Sequence, residues 1–338
     1  MMTMNQKHPT LNEKLGGVYF GTVPKVCVQA PLENSEISSS KTGRDLFVAG
    51  LCAAVGKTAV APIERVKLLI QNQDGLVKND RLTKPYQGVR HCVRQVIREE
   101  GALSLWRGNF PSIMGCFPTQ VLNLGFNTLF RRQTNFQDET HGYWWWLVRN
   151  FACGGAAGAS SLLFVYPLEY ARTRLATDLK VVDPMFGDRK FKNLADLYIR
   201  TLESDGVAGL YRGFGPSCVG VTLYRSLYFG LYESLKPVVL TGKMQDNTSA
   251  TFALASGVSF IAGLTSYPLD TASRRMMITS TEAFEFKHSL HSFNYIMKKE
   301  GAKSLYKGAS VNILRAIAGG CVLFCFDKLE FNLYPLAI

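Results

Sequence analysis

A pattern of one proline, one carboxylate and one base occurs three times in this sequence, at intervals of about one hundred residues. Its copies lie at 62–67, 167–172 and 268–273. Acid and base are three residues apart, so they occupy neighbouring positions on one face of a helix. In a three-fold arrangement, each acid could reach the base of the next copy. The pattern therefore predicts a ring of ion pairs that closes one end of a pore.

The third copy departs from the rule, because Ser273 stands at the position of the base. We expect Glu64 to pair with Arg172, Lys67 to pair with Asp270, and Glu169 to face Ser273 without a partner. The alternative is three ordinary helix ends with local charge pairs. The residues predicted for this gate are Glu64, Lys67, Gln71, Glu169, Arg172, Asp270 and Ser273.

Each copy is followed by an acid-Gly pair and then by an aromatic-base-Gly triplet at a constant spacing. The triplets end at Gly108, Gly213 and Gly308. Three copies in register indicate three equal units of one body, although the length alone would suggest two or three soluble domains. The predicted repeats span 43–138, 144–240 and 247–338, after an N-terminal extension over 1–42 that we expect to be flexible.

Composition leaves several classes of partner open. The formal net charge of +12 is compatible with nucleic acid, anionic lipid or an anionic solute. The basic residues follow the repeat and no nucleic-acid-binding motif appears, so we expect no nucleic-acid partner. The histidines lack a nucleophile arrangement, so we expect no enzyme, and no metal or cofactor is predicted. The scattered cysteines predict apolar packing residues.

Each repeat has two long apolar stretches, separated by a polar loop and a short amphipathic segment. The six stretches have at least roughly 20 residues, enough to cross a bilayer as helices. Charged residues within them, such as Arg225 and Arg315, normally face a bundle interior or a wet cavity. We therefore expect an all-α membrane protein whose six transmembrane helices surround an aqueous cavity. The first amphipathic face consists of Val89, Cys92, Val93, Val96 and Ile97, and the second of Leu194, Leu197, Tyr198 and Leu202.

These motifs resemble the mitochondrial carrier family over residues 43 to 335. Within that family the resemblance is to members that exchange ADP for ATP, and it rests on 57–67, 117–120, 166–175 and 274–277. It implies a monomeric barrel of six transmembrane helices in three pseudo-symmetric repeats, with short amphipathic helices on the matrix side. It also implies antiport of ADP and ATP across the inner mitochondrial membrane by alternating access.

The resemblance further assigns roles to individual residues. Gly220 and Val221 match a small-plus-aliphatic pair that receives adenine, with Tyr224 beside it. Arginines can form forked hydrogen bonds with the phosphates. The implied substrate-binding residues are Lys57, Asn123, Gly220, Val221, Tyr224, Arg225, Arg274 and Arg315.

A second gate and a lipid site are implied in the same way. The cytoplasmic gate would comprise Arg131, Tyr232, Glu233, Lys236, Phe326 and Asp327. Cardiolipin would bind at helix N-termini, where free amides favour phosphate, next to Gly88, Gly108, Gly213 and Gly308. The aromatic-x-Gly partner of this lipid site is complete only at Gly88, so one strong and two weaker sites are expected.

Two departures from the ADP- and ATP-exchanging members concern cations. Gly115 stands where their second helix carries a substrate arginine. Their run of three arginines and three methionines is shortened here, because Ser273 replaces the first arginine and Ile278 the last methionine. The alternatives are therefore a divergent carrier of another anionic nucleotide or phosphate compound, or a carrier fold with little or no transport of ADP and ATP.

Overall fold

The computed structural model describes residues 39–133, 142–180, 189–239, 248–280, 289–315 and 318. The chain divides into two units, one of residues 1–59 with 316–338 and the other of residues 60–315. In the first unit the structure describes residues 39–59 and residue 318, all of them helical. The described residues form helices and turns but no strands, as predicted for an all-α protein.

The helices follow the order expected for three repeats. In chain order they are α1 (Ser39–Lys78), α2 (Val89–Glu100), α3 (Asn109–Gln133), α4 (Gly142–Thr177), α5 (Leu194–Leu210), α6 (Phe214–Val239), α7 (Thr248–Ile278), α8 (Ser289–Lys299), α9 (Ala302–Leu305) and α10 (309–315). A short 3-10 turn at Ala102–Trp106 precedes α3. Each repeat thus has a long helix, an amphipathic helix and a second helix that follows the triplet.

The motif prolines lie inside the long helices rather than at their ends. Pro62, Pro167 and Pro268 belong to α1, α4 and α7, and each helix continues for more than two turns beyond its proline. A proline lacks the amide hydrogen of the helical ladder. The charged motif residues therefore project from continuous helices.

The amphipathic segments pack largely as their spacing predicts. In α2 Cys92 and Val96 are buried, and Val89 and Val93 pack against the same core, whereas Ile97 at the edge of the face is exposed. Burial raises the pKa of the Cys92 thiol to about 12, so this cysteine serves as an apolar packing residue. The prediction of apolar faces is confirmed except at their margins.

Long-range packing joins successive helices of the second unit. Helix α3 packs on α4, α4 packs on α6 and α7, and α6 packs on α7. One core cluster gathers residues of α1 and α2 with Leu179 and Val311, which belong to the second and third repeats. Another joins Tyr166, Tyr170 and Leu197 with Met277 of α7. The cores of the first and second repeats therefore include residues of neighbouring repeats.

A bilayer-crossing helix typically has about 20 consecutive, predominantly apolar residues. Within the described ranges, no helix combines the length and the apolar character of such a segment.

Candidate functional site

Charged side chains of α1, α4 and α7 meet in one continuous network. We define the charged ring as Glu64, Lys67, Glu169, Arg172, Asp270 and Arg274. Two members come from each helix, so the network passes through all three repeats.

The ring contains both ion pairs that the motif predicts. Arg172 of α4 donates a hydrogen bond to Glu64 of α1. Lys67 Nζ of α1 lies 3.4 Å from Asp270 Oδ2 of α7. Because these pairs join different helices, the alternative of purely local charge pairs at separate helix ends is wrong.

Glu169 has a partner that the sequence reasoning missed. Arg274 Nη1 lies 3.1 Å from Glu169 Oε2, and Arg274 Nε lies 3.3 Å from Asp270 Oδ1 on the same helix. The prediction that Glu169 lacks a base is therefore wrong. The sequence did contain a signal. Arg274 lies four residues after the motif acid Asp270, a spacing that brings two side chains together on one helix and so places this cation next to the motif.

Ser273 lies beside the ring but does not join it. Its side chain is fully buried. Its hydroxyl donates to the carbonyl oxygen of Gly213 at 2.8 Å and shares a hydrogen bond with Ser217. The predicted place of Ser273 among the gate residues is corrected accordingly, since it fixes the backbone next to the ring while Arg274 supplies the charge.

Two further side chains touch the carboxylates of the ring. Gln71 Nε2 donates to Asp270 Oδ2 at 3.1 Å and to Thr271 Oγ1 at 3.0 Å. Arg315 Nη1 lies 3.8 Å from Glu64 Oε1. Gln71 therefore lies where the sequence predicts, and Arg315, predicted as a substrate ligand, borders the ring.

The ring is only partly shielded from water. The side chains of Glu169 and Asp270 are 30 % and 35 % exposed, whereas those of Glu64 and Arg172 are 10 % and 16 % exposed. Solvent weakens exposed ion pairs, while burial makes the loss of one partner costly. Such pairs can hold three helices together and still separate when the carboxylates become hydrated.

The triplet glycines place each repeat against the next. A Cβ on Gly108 would lie 2.9 Å from the carbonyl oxygen of Arg172, and one on Gly213 would lie 2.7 Å from that of Ser273. For Gly308 the corresponding distance to the oxygen of Lys67 is 3.4 Å. Each contacted residue occupies the base position of the following motif, so these three contacts repeat around the second unit.

Backbone conformation also requires these glycines. Gly108, Gly213 and Gly308 have φ near +83°, +83° and +86°, a region that side chains with a Cβ rarely adopt. Gly88 precedes α2 with a φ of +152°. In the second repeat the corresponding position is Asn193, with a φ of −139°. The four predicted lipid-site glycines thus lie at turns that precede helices.

Asn123 and Arg225, both predicted to bind substrate, contact each other. Arg225 Nη2 donates to Asn123 Oδ1 at 2.9 Å, and Arg225 Nη1 donates to the carbonyl oxygen of Gly154 at 2.6 Å. Ser161 Oγ also donates to Asn123 Oδ1, at 2.6 Å. A Cβ on Gly158 would lie 2.8 Å from Arg225 Cζ, so this glycine leaves the space that the guanidinium fills.

The predicted adenine site lies on α6. Gly220 has a single neighbour for an added Cβ, Leu269 Cβ at 3.4 Å, and Val221 is half-buried. The Tyr224 hydroxyl lies 2.7 Å from Ser259 Oγ, and its ring stacks on Tyr228 with centroids 6.3 Å apart. Small, aliphatic and aromatic surfaces therefore occur on one helix, as a flat base requires.

The second predicted gate is described only in part. Tyr232 is buried and stacks on Tyr228, and Lys236 Nζ lies 5.6 Å from the centroid of the Tyr232 ring. The side chains of Arg131 and Glu233, and the residues Phe326 and Asp327, lie outside the described residues. Lys57 belongs to the first unit.

The sequence reasoning also missed two acids that bind the base of a triplet. Asp74 Oδ1 lies 2.7 Å from Lys307 Nζ, and Asp178 Oδ2 lies 2.7 Å from Arg107 Nη2. Each acid lies about three turns beyond the motif proline, Pro62 or Pro167, a spacing that is not a recognised signal. They join the third repeat to the first and the first repeat to the second.

Comparison with known proteins identifies the pattern of repeats. The family model described as mitochondrial carrier protein matches residues 38–137, 144–243 and 245–334. The three matched segments follow one another along the chain.

Curated relatives are similar over most of their length. ADP,ATP carrier protein 2, mitochondrial, of Arabidopsis thaliana is 55 % identical over 313 residues, which cover 93 % of this chain and 80 % of that protein. ADP,ATP carrier protein 2, mitochondrial, of Zea mays is 58 % identical over 286 residues, or 85 % of this chain and 74 % of that protein. The Oryza sativa subsp. japonica protein named ADP,ATP carrier protein, mitochondrial, is 57 % identical over 286 residues, with 85 % and 75 % coverage.

Proposed function

This chain belongs to the mitochondrial carrier family, and we propose that it exchanges ADP for ATP across the inner mitochondrial membrane by alternating access. The observation that carries the proposal is the charged ring, which joins α1, α4 and α7 by ion pairs between repeats. Such a ring is strong enough to hold three helices together and exposed enough to separate again. The names of the relatives support the choice of nucleotide.

The proposal includes a specific architecture. Six transmembrane helices form a monomeric barrel around a water-filled cavity, and the charged ring closes its matrix end. Arg131, Tyr232, Glu233, Lys236, Phe326 and Asp327 form the gate at the cytoplasmic end. The three consecutive matches to the family model support an arrangement of three similar units.

Nucleotide binding is assigned to residues of the cavity. Gly220, Val221 and Tyr224 receive the adenine, while Lys57, Arg225 and Arg315 attract the phosphates, because guanidinium groups bind phosphate oxygens in pairs. The contact of Arg315 with Glu64 supports a coupling between phosphate binding and opening of the charged ring. A phosphate that draws Arg315 away from Glu64 would weaken the ring and favour opening toward the matrix.

A second candidate function is transport of another anionic nucleotide or phosphate compound. Gly115 favours it, because α3 contributes no cation at this position. The two candidates differ in ligand selectivity. Purified protein in a cardiolipin-containing detergent would be heated with ADP, ATP, GDP, AMP and inorganic phosphate. A rise in melting temperature with ADP and ATP alone supports the proposal, since a ligand that binds the folded state stabilises it. A rise with GDP or phosphate but none with ADP would favour the second candidate.

A further inference from the structure

The third motif lacks its base, yet the charged ring is complete. Among the described residues, the ring passes from α7 to α4 through one ion pair, Arg274–Glu169. The other two crossings use the motif bases Arg172 and Lys67. We propose that Arg274 replaces the missing base as the latch between the second and third repeats, and that this role withdraws it from nucleotide binding.

The donors of Arg274 are directed at the ring. Its guanidinium contacts the carboxylates of Glu169 and Asp270, and Nη1 donates to Thr173 Oγ1 at 2.6 Å. An incoming phosphate would have to compete with two carboxylates for the same group. Arg274 was assigned to the substrate site from the sequence, and we replace that assignment with a positioning role in the charged ring.

Thr173 holds this arginine in place. Its side chain is fully buried, and its hydroxyl donates to the carbonyl oxygen of Glu169 at 3.0 Å while it accepts from Arg274. The Thr173 hydroxyl is therefore bonded to the backbone of Glu169 and to Arg274, and it orients Arg274 toward the Glu169 carboxylate.

Ser273 makes the shift of one residue possible. With a small side chain there, Ser273 Oγ reaches the carbonyl oxygen of Gly213 and the hydroxyl of Ser217. The base position is filled by these hydrogen bonds, and the charge is carried by the next residue. Arginine at 273, where the other two motifs carry their base, would supply the same charge, so exchanging the residues at 273 and 274 tests the role of Arg274.

This inference rests on the proposed alternating access, but its test does not need transport. Hydrogen–deuterium exchange would be measured for peptides covering 166–177 and 267–278 in the purified full chain, because local opening exposes backbone amides. Arg274→Ser should speed exchange there by about tenfold, the effect of losing one charge-assisted hydrogen bond. Arg200→Ser removes an exposed ion pair with Asp196 on α5 and should leave these peptides unchanged.

Interchange of the two residues gives the decisive variant. The double variant S273R/R274S should return exchange to within about twofold of the unmodified protein, and Arg274→Lys should restore part of the protection. Because the buried Ser273 position could prevent folding of the double variant, Thr173→Val is tested as well. It should speed exchange in the same peptides without removing any charge.

ADP titration separates the latch from a phosphate ligand. In Arg274→Ser the dissociation constant for ADP should stay within about twofold. A tenfold loss of ADP affinity with unchanged hydrogen exchange would overturn the proposal and return Arg274 to the substrate site. If the unmodified protein binds no ADP, the nucleotide function fails, while the exchange data still decide whether Arg274 is the latch.

Discussion

Arg274 Nη1 of α7 lies 3.1 Å from Glu169 Oε2 of α4, one residue beyond the position where the first two motifs carry their base. One residue turns a helix by about 100°, and the long guanidinium side chain spans that difference. The same arginine contacts Asp270 at 3.3 Å. The charged ring therefore keeps three cations and three carboxylates although the motif is incomplete.

Loss of a motif base should destabilise the protein measurably. Arg172→Ala leaves Glu64 without its main partner, and the Glu64 side chain is only 10 % exposed. We expect the free energy of unfolding to fall by about 1.5–3 kcal/mol, the value of a hydrogen bond to a charged group. Thermal unfolding in detergent gives the measurement. Arg200→Ala, which removes an exposed pair, should cost less than about 1 kcal/mol; equal losses in both variants would contradict the account.

The sequence predicted much of this ring because charge spacing on a helix is local information. Glu64, Arg172, Lys67 and Asp270 are fixed by a three-residue spacing and by the repeat, and their pairs are found between the helices. The partner of Glu169 was missed because a long side chain can reach from the next position. Whether a neighbouring residue can replace the motif base depends on the length of its side chain and on which atoms fill the space around Ser273.

The contacts of the proposed substrate-binding residues were harder to predict for a related reason. Asn123 and Arg225 were assigned separately to the substrate, yet they bond to each other. Gly158 leaves room for the guanidinium, and nothing in the local sequence marks that contact across helices. Asp74 and Asp178 were missed as well, since their partners come from other repeats.

The contact at Gly213 can be separated from its backbone strain by a matched pair of variants. Gly213 and Gly301 share a φ of +83°, but a Cβ would lie 2.7 Å from the Ser273 oxygen at Gly213 and would meet nothing within 4 Å at Gly301. Gly301→Ala should cost about 1–3 kcal/mol, because its φ of +83° and ψ of +162° lie in a backbone region that is essentially restricted to glycine. Gly213→Ala should cost more, as measured by thermal unfolding, because the two repeats must also move apart. If both variants lowered the stability equally, the close contact between Gly213 and the Ser273 carbonyl oxygen would contribute nothing to it.

Gly115 offers a test of the proposed nucleotide site, because this position carries no cation. A Cβ there would lie 3.6 Å from Val165 Cγ1 and 3.7 Å from Leu168 Cβ, an ordinary contact distance, so a side chain can begin at this position. Gly115→Arg should strengthen ADP binding by about tenfold or more, as one additional charged hydrogen bond to phosphate would. Isothermal titration with ADP measures this change. Gly115→Gln is the neutral control and should not reproduce it; an equal gain with glutamine would refute a role for charge.

Cardiolipin should occupy one site more fully than the other two. Gly88 precedes α2, whereas Asn193 occupies the corresponding position before α5. Because glycine has no side chain beside the helix N-terminus, we expect a phosphate to approach the free amides most closely at Gly88. Native mass spectrometry of the protein with limiting cardiolipin should show one lipid retained most strongly. Gly88→Asn should remove that preference, and three equally occupied sites in the unmodified protein would show the ranking to be wrong.

Exchange in liposomes tests the central claim most directly. The purified chain would be reconstituted with cardiolipin, and uptake of labelled ATP would be followed into vesicles loaded with ADP, with inorganic phosphate or with buffer. The account predicts rapid uptake only into ADP-loaded vesicles, and its loss in Arg315→Ala, which removes a proposed phosphate ligand next to Glu64. Uptake that does not depend on internal ADP, or uptake of labelled phosphate without any uptake of ATP, would contradict it.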